Sequence, residues 1–83
     1  MATTEIAINT AAWTLISTGP SEGSISSKKS SRQVFIAEST SLPSADSDLG
    51  HSLAGELIYY NLSSGTNLYA KAYYTDNTIV RTE

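Results

Sequence analysis

An all-β fold, a small antiparallel β-sandwich or flattened barrel of about seven short strands, is what three features of this sequence predict. Apolar residues come in short runs, many of them β-branched or aromatic, separated by clusters of Gly, Ser, Asn, Asp and Pro. Helix formers never recur at the i, i+3, i+4, i+7 spacing for more than a turn. Serine and threonine dominate the composition, and both suit strands and turns better than helix interiors. At 83 residues the chain reads as a single domain, 1–83.

The first strand runs from Glu5 to Ile8 and the second from Ala12 to Ser17, broken by Asn9-Thr10. TGPSEG, Thr18 to Gly23, reads as a turn, because Pro20 fixes its own φ and biases Gly19 towards an extended shape. Gly23 to Lys28 is the third strand, KKSS a hairpin tip, and Arg32 to Glu38 the fourth strand. The stretch STSLPSADSDLGHSLA, Ser39 to Ala54, shows no strand period and carries Pro43 and Gly50, so it reads as one long loop. Gly55 to Asn61 is the next strand, LSSGTN a turn, and Asn67 to Tyr74 the longest strand. Thr75-Asp76-Asn77 then closes a tight hairpin into Thr78 to Thr82.

Period-two alternation assigns faces within the longest strand. Leu68, Ala70, Ala72 and Tyr74 share one side, and Tyr69, Lys71 and Tyr73 share the other. Both sides carry apolar area. The first set suits the core of the domain, and Tyr69, Lys71 and Tyr73 are the candidate protein interface, since tyrosine is enriched where proteins meet. Cross-strand packing is the alternative reading of the same rings. Trp13, with Leu15 on its side of the strand, reads as core rather than as a platform for sugar. Arg32 to Glu38 is apolar on both sides in its middle, the pattern of a strand covered twice. Phe35 or Ile36 is therefore expected under the long loop or against a neighbouring chain.

Composition excludes several functions. A domain of this size buries only about 60% of the surface its unfolded chain exposes, and there is no cysteine to staple it. A partner or an oligomer is the expected source of further stability. The formal charge of −3 argues against nucleic acid as a partner. The one basic cluster, Lys28, Lys29 and Arg32, reads as a solvated end of the domain. No stretch approaches the ~20 apolar residues of a membrane span. MATTEIAINTAAWTLIS has no basic leader and places Glu5 before any apolar run, so no secretory signal is expected and Asn61-Leu62-Ser63 is not read as a glycosylation site.

Chemistry-bearing groups are sparse. ADSDLGH brings Asp46, Asp48 and His51 together, but a calcium loop needs further oxygen ligands at set spacing and a closing glutamate, and Glu56 falls at the wrong offset. With a single histidine and no cysteine, no zinc site is expected, and no other cofactor is called for. No serine sits in a Gly-x-Ser-x-Gly elbow, and nothing selects one serine to join His51 and an aspartate in a triad. Glu38 and Glu56 would make a carboxylate pair only if they faced each other across strands. The reading is a protein without catalytic residues.

Trp13-Thr14-Leu15-Ile16-Ser17, a Gly-Ser turn, Val34-Phe35-Ile36, Ser41-Leu42-Pro43 leading to Gly50-His51-Ser52-Leu53, and finally Leu68-Tyr69-Ala70-Lys71 follow one another along the chain. This order resembles small virion proteins of tailed bacteriophages, in which a W-x-L-I strand opens the domain, a Pro-to-Gly loop lies mid-chain, and a final hairpin begins with a Tyr-Ala-Lys/Arg strand. The resemblance implies a structural role in the virion, as a capsid decoration protein, head fibre or tail-attached adaptor. A capsid or tail protein is then the expected partner, with the chain homo-oligomeric or lattice-bound, made in the host cytoplasm and located in the virion. A carbohydrate- or receptor-binding sandwich of a tail or fibre, stacking ligand on Trp13 and the tyrosines, is the alternative. A small regulator acquired with a prophage is a third.

Overall fold

The computed structural model describes residues 2–29, 31–44 and 50–83. Its strands are β1 (Thr3–Ile8), β2 (Thr14–Thr18), β3 (Ser21–Ser27), β4 (Val34–Ser39), β5 (His51–Leu53), β6 (Ile58–Leu62), β7 (Asn67–Ala72) and β8 (Asn77–Thr82). They form two four-stranded antiparallel sheets, ordered β1-β8-β3-β6 and β2-β7-β4-β5. The fold is a small β-sandwich without helix among the described residues.

The pairing follows one rule. Thr3 faces Thr82, Thr14 faces Ala70, Ser21 faces Leu62 and Val34 faces Leu53, so partner numbers add to nearly the same total at every rung. The chain is thus one long antiparallel ribbon, doubled back near its middle and then rolled up. Rolling lays β8 beside β3 and β7 beside β4, which closes each sheet. This is the strand order of a jelly roll. Of the stretch read as one long loop, residues 45–49 lie outside the described residues, and its C-terminal part supplies β5, a strand too short to show a period. The two ends of the ribbon meet through Ala2 N–H to Glu83 O (2.9 Å) and Glu83 N–H to Ala2 O (3.1 Å).

This topology corrects two local expectations. The segment 28–31 is not a hairpin tip, and the segment 75–77 does not close a hairpin. β3 and β4 lie in different sheets, as do β7 and β8, and only β4 and β5 are consecutive strands of one sheet. The turn-forming residues are there, but each bends the chain across the sandwich. Buried Asn77 holds two of these crossings together: its Oδ1 accepts from Lys29 N–H (3.0 Å) and Thr78 N–H (2.8 Å), and its Nδ2 donates to Lys29 O (3.2 Å). At the β1–β2 crossing, Asn9 Oδ1 accepts from Ala11 N–H (2.9 Å) and Ala12 N–H (3.1 Å). Lys28 pairs with exposed Glu5 at 3.0 Å, a contact worth little in water.

The core lies between the sheets. Ile8, Ile25, Tyr60, Leu62 and Ile79 face Ile16, Val34, Ile36, Leu53, Leu68, Ala70 and Ala72. The small Ala70 and Ala72 make room for the isoleucines of the opposite sheet, as close packing requires. Alternation places Leu68, Ala70 and Ala72 in this core as expected. Tyr74 does not join them: β7 ends at Ala72, and the Tyr74 ring is 78% exposed in the following crossing. Gly50, at φ 117°, precedes β5 so closely that a Cβ there would stand 2.2 Å from Ile36 O.

Candidate functional site

On a sandwich, the outer face of each sheet meets solvent unless something covers it. The outer face of β1-β8-β3-β6 is mostly polar, with Glu5, Thr78, Glu22, Ser24 and Asn61. The outer face of β2-β7-β4-β5 differs. Leu15 pairs with Tyr69 and Ala37 pairs with Tyr69 across adjacent strands, while Phe35 pairs with Lys71. Trp13, Ala37 and Tyr69 form a second buried cluster there, with Phe35 packed against it. Tyr73, just past the end of β7, sets its ring edge-on to Phe35, with centroids 5.2 Å apart and planes at 87°. That is a favourable geometry for two aromatic quadrupoles.

The candidate interface residues therefore separate. Tyr69 is only 6% exposed, and its hydroxyl accepts from Asn67 Nδ2 at 3.2 Å, so it packs within its own chain instead of being presented to a partner. Lys71 is half-buried, and Tyr73 is 55% exposed. The cover over Tyr69 comes from Trp13, which precedes β2. Trp13 is buried as expected, but on the outside of the sheet, apart from the main core. Its indole N–H is buried without an acceptor among the described residues, at a cost of about 1–3 kcal/mol. Ile36 joins the main core, and Phe35 lies half-buried on the outer face. What remains at the surface is apolar area on both flanks of β7: Phe35, the partner of Lys71, with Tyr73 on one side, and Leu15, the partner of Tyr69, on the other. Leu15 and Tyr73 are both among the exposed large apolar residues.

A second cluster sits where the ribbon ends meet. A β-bulge between Leu15 and Ser17 breaks the alternation and leaves both Ile16 and Ser17 buried. Ser17 Oγ donates to the Glu83 carboxylate. Its single proton thus spent, it accepts from Ser21 Oγ at 2.8 Å. Tyr60 OH donates to Glu83 Oε1 at 2.8 Å, and Arg81 Nη1 donates to Ile16 O at 2.6 Å. The hydrogen bonds from Ser17 and then Tyr60 hold the Glu83 carboxyl below its ordinary range. Burial, then the Glu83 contact, pushes the Tyr60 phenol up. The network ties β2, β3, β6 and the residue after β8 together as a clasp.

The other chemistry-bearing residues stay apart. Asp46 and Asp48 lie outside the described residues. His51 is exposed on β5, at the opposite edge of its sheet from β2 and Ser17. Glu38 pairs across β4–β7 with Leu68, and Glu56 lies between β5 and β6, accepting from Ala54 N–H at 3.2 Å. The two carboxylates are not cross-strand partners. Among the described residues, no three His, Asp or Glu side chains converge as a metal site would require.

One feature escaped the sequence reading. Tyr59 on β6 projects from the polar face of the other sheet, 81% exposed, beside a groove of about 440 Å³. Alternation was the signal that could have found it: Ile58, Tyr60 and Leu62 share the apolar side of β6, which leaves Tyr59 on the other side with Asn61. No protein-family model matches the chain, and neither curated proteins nor solved structures give a match.

Proposed function

We propose that the chain is a structural protein of a bacteriophage virion, one that decorates and reinforces the capsid by laying the outer face of β2-β7-β4-β5 on a capsid protein. The observation that carries this reading is the aromatic outer face itself. The outer face of one sheet is mostly polar and carries Tyr59 as its exposed ring, whereas the other exposes Tyr73 and part of Phe35 beside Lys71, and Leu15 across β7. Tyrosine in such a patch loses little conformational entropy on binding and keeps a polar tip for the unbound state. Its neighbours Trp13 and Tyr69 are already packed, so the patch is rigid before it docks.

Two further points support it. The ordered motifs from Trp13 to Lys71 resemble small phage virion proteins. The jelly roll is also an architecture of capsid domains, although it serves lectins and other proteins as well, so this is analogy at the level of fold. A partner that binds only the folded state would add stability by mass action, which a domain this small can use. The alternative of a sugar platform on Trp13 loses its ring, which is 4% exposed.

The test is co-sedimentation with capsids assembled without this chain. The wild-type chain is expected to saturate the particles. Tyr73→Ala should weaken occupancy by about 1–3 kcal/mol, as a moderate to strong contact residue does. Ala7→Lys, exposed on the outer face of the other sheet, should bind normally. Equal losses in both variants, or in neither, would refute the assignment of the face.

A further inference from the structure

We infer that the groove beside Tyr59 is a binding site for a neutral saccharide, on the sheet opposite the proposed docking face and independent of it. Ser24 pairs with Tyr59 and Glu22 with Asn61 across β3–β6, and Ser24 pairs with Thr82 across β3–β8. These five side chains share one face of the sheet. Direct partners stand about 5 Å apart at Cβ, and diagonal ones about 7–8 Å. A carboxylate, an amide and two hydroxyls thus lie within one sugar ring's reach of an aromatic ring. The groove, of about 440 Å³, is within the range of small-ligand sites.

The chemistry of the lining selects the ligand. Tyr59 is 81% exposed, so its ring face is available. The face of a pyranose that carries axial C–H groups is apolar and weakly positive, and it suits the negative face of an aromatic ring. The equatorial hydroxyls then point sideways, where Glu22 accepts and Asn61 both donates and accepts. No lysine or arginine lines the groove, so phosphate and sulfate have no counter-charge there, and Glu22 disfavours uronic and sialic acids. The lining comes from β3, β6 and β8, with Gly23 and Tyr60 completing its floor between the outward side chains.

The experiment is an amide-resolved NMR titration of the whole chain with cellotriose, maltotriose and chitotriose, and with trigalacturonate as the acidic comparison. At least one neutral trisaccharide should give saturable shifts centred on Glu22, Ser24, Tyr59 and Asn61, with Kd of about 1–10 mM. Tyr59→Ala should weaken that binding by about tenfold or more, and Glu22→Gln should weaken it less. Both side chains are exposed, so the variants keep the fold, which the unshifted remainder of the spectrum verifies. Trigalacturonate should bind about tenfold more weakly than the best neutral sugar, or not at all. The inference is overturned if no neutral trisaccharide saturates, if Tyr59→Ala binds as well as wild type, or if the acidic sugar binds equally. None of these outcomes bears on the docking face, which lies on the other sheet.

Discussion

Replacing Tyr69 and Tyr73 one at a time by alanine separates packing from presentation on a single face of the molecule. Tyr69 is 6% exposed against Trp13 and Ala37. A buried aromatic side chain removes about 150–250 Å² from water, and at about 25 cal/mol per Å² that is roughly 4–6 kcal/mol, an upper figure because the unfolded chain is not fully extended. Tyr69→Ala should therefore cost about 3–5 kcal/mol, the usual loss for a large buried ring. Tyr73 is 55% exposed and sets its ring edge-on to Phe35, so Tyr73→Ala should cost about 1 kcal/mol. Tyr69→Phe, which gives up only the hydrogen bond from Asn67, should also cost about 1 kcal/mol. For a domain of 83 residues the total stability is roughly 4–12 kcal/mol, so Tyr69→Ala leaves little margin. The assay is equilibrium urea unfolding, followed in parallel by far-ultraviolet circular dichroism and by fluorescence of Trp13, the single tryptophan. A loss below about 1 kcal/mol for Tyr69→Ala, or equal losses for the two alanine variants, would refute the account of this face.

Gly50→Ala and Gly65→Ala share a positive φ but differ in surroundings: a Cβ at Gly50 stands 2.2 Å from Ile36 O, whereas one at Gly65 has nothing within 4 Å. Thermal melts should show the first losing about 3 kcal/mol or more and the second about 1–2 kcal/mol, and equal shifts would contradict the close approach at β5. Glu83 has a folded pKa below its ordinary value of 4.5, so its contribution is present above that pH and is lost as pH falls through the folded value. Acid unfolding of Ser17→Ala, which removes the principal donor, should begin less steeply than in wild type, and an unchanged pH dependence would count against the clasp. Tyr60 is shifted the other way, so stability should decline as pH rises past 10.0, and Tyr60→Phe should remove that decline in an alkaline titration. Ile25→Ala, at a position with no exposure, should cost about 2–5 kcal/mol in the same urea assay.

Local alternation was enough to predict the strand-rich fold and to place Leu68, Ala70 and Ala72 in the core, because side-chain direction in a strand depends only on the neighbours in sequence. It carries no information on which sheet the next strand joins. The segments 28–31 and 75–77 have the residues of hairpin turns, yet each crosses between sheets, a choice made by pairings with strands far along the chain. β5 escaped notice because three residues in a Ser-, Asp- and Gly-rich stretch cannot show a period. Tyr69 shows the same limit for function. Alternation gives the side it faces, but the cover on that side is Trp13, brought over by the β2–β7 pairing. Ser17 departs from the alternation through the bulge, and that departure builds the clasp with Glu83. Tyr59 and Tyr60 are adjacent and identical in type, and alternation already separates them, since Tyr60 shares its side with Ile58 and Leu62 and Tyr59 with Asn61; what it does not give is the groove that β3 and β8 build beside Tyr59.

Cryo-microscopy of virions from a phage that encodes this chain is the most direct measurement of the central claim. The account predicts density for the sandwich repeated over the capsid lattice, with the outer face of β2-β7-β4-β5 seated on a capsid protein and Tyr73, Leu15 and Phe35 enclosed in the contact. Particles that lack the chain, or that hold it by another face and leave Tyr73 in solvent, would contradict it.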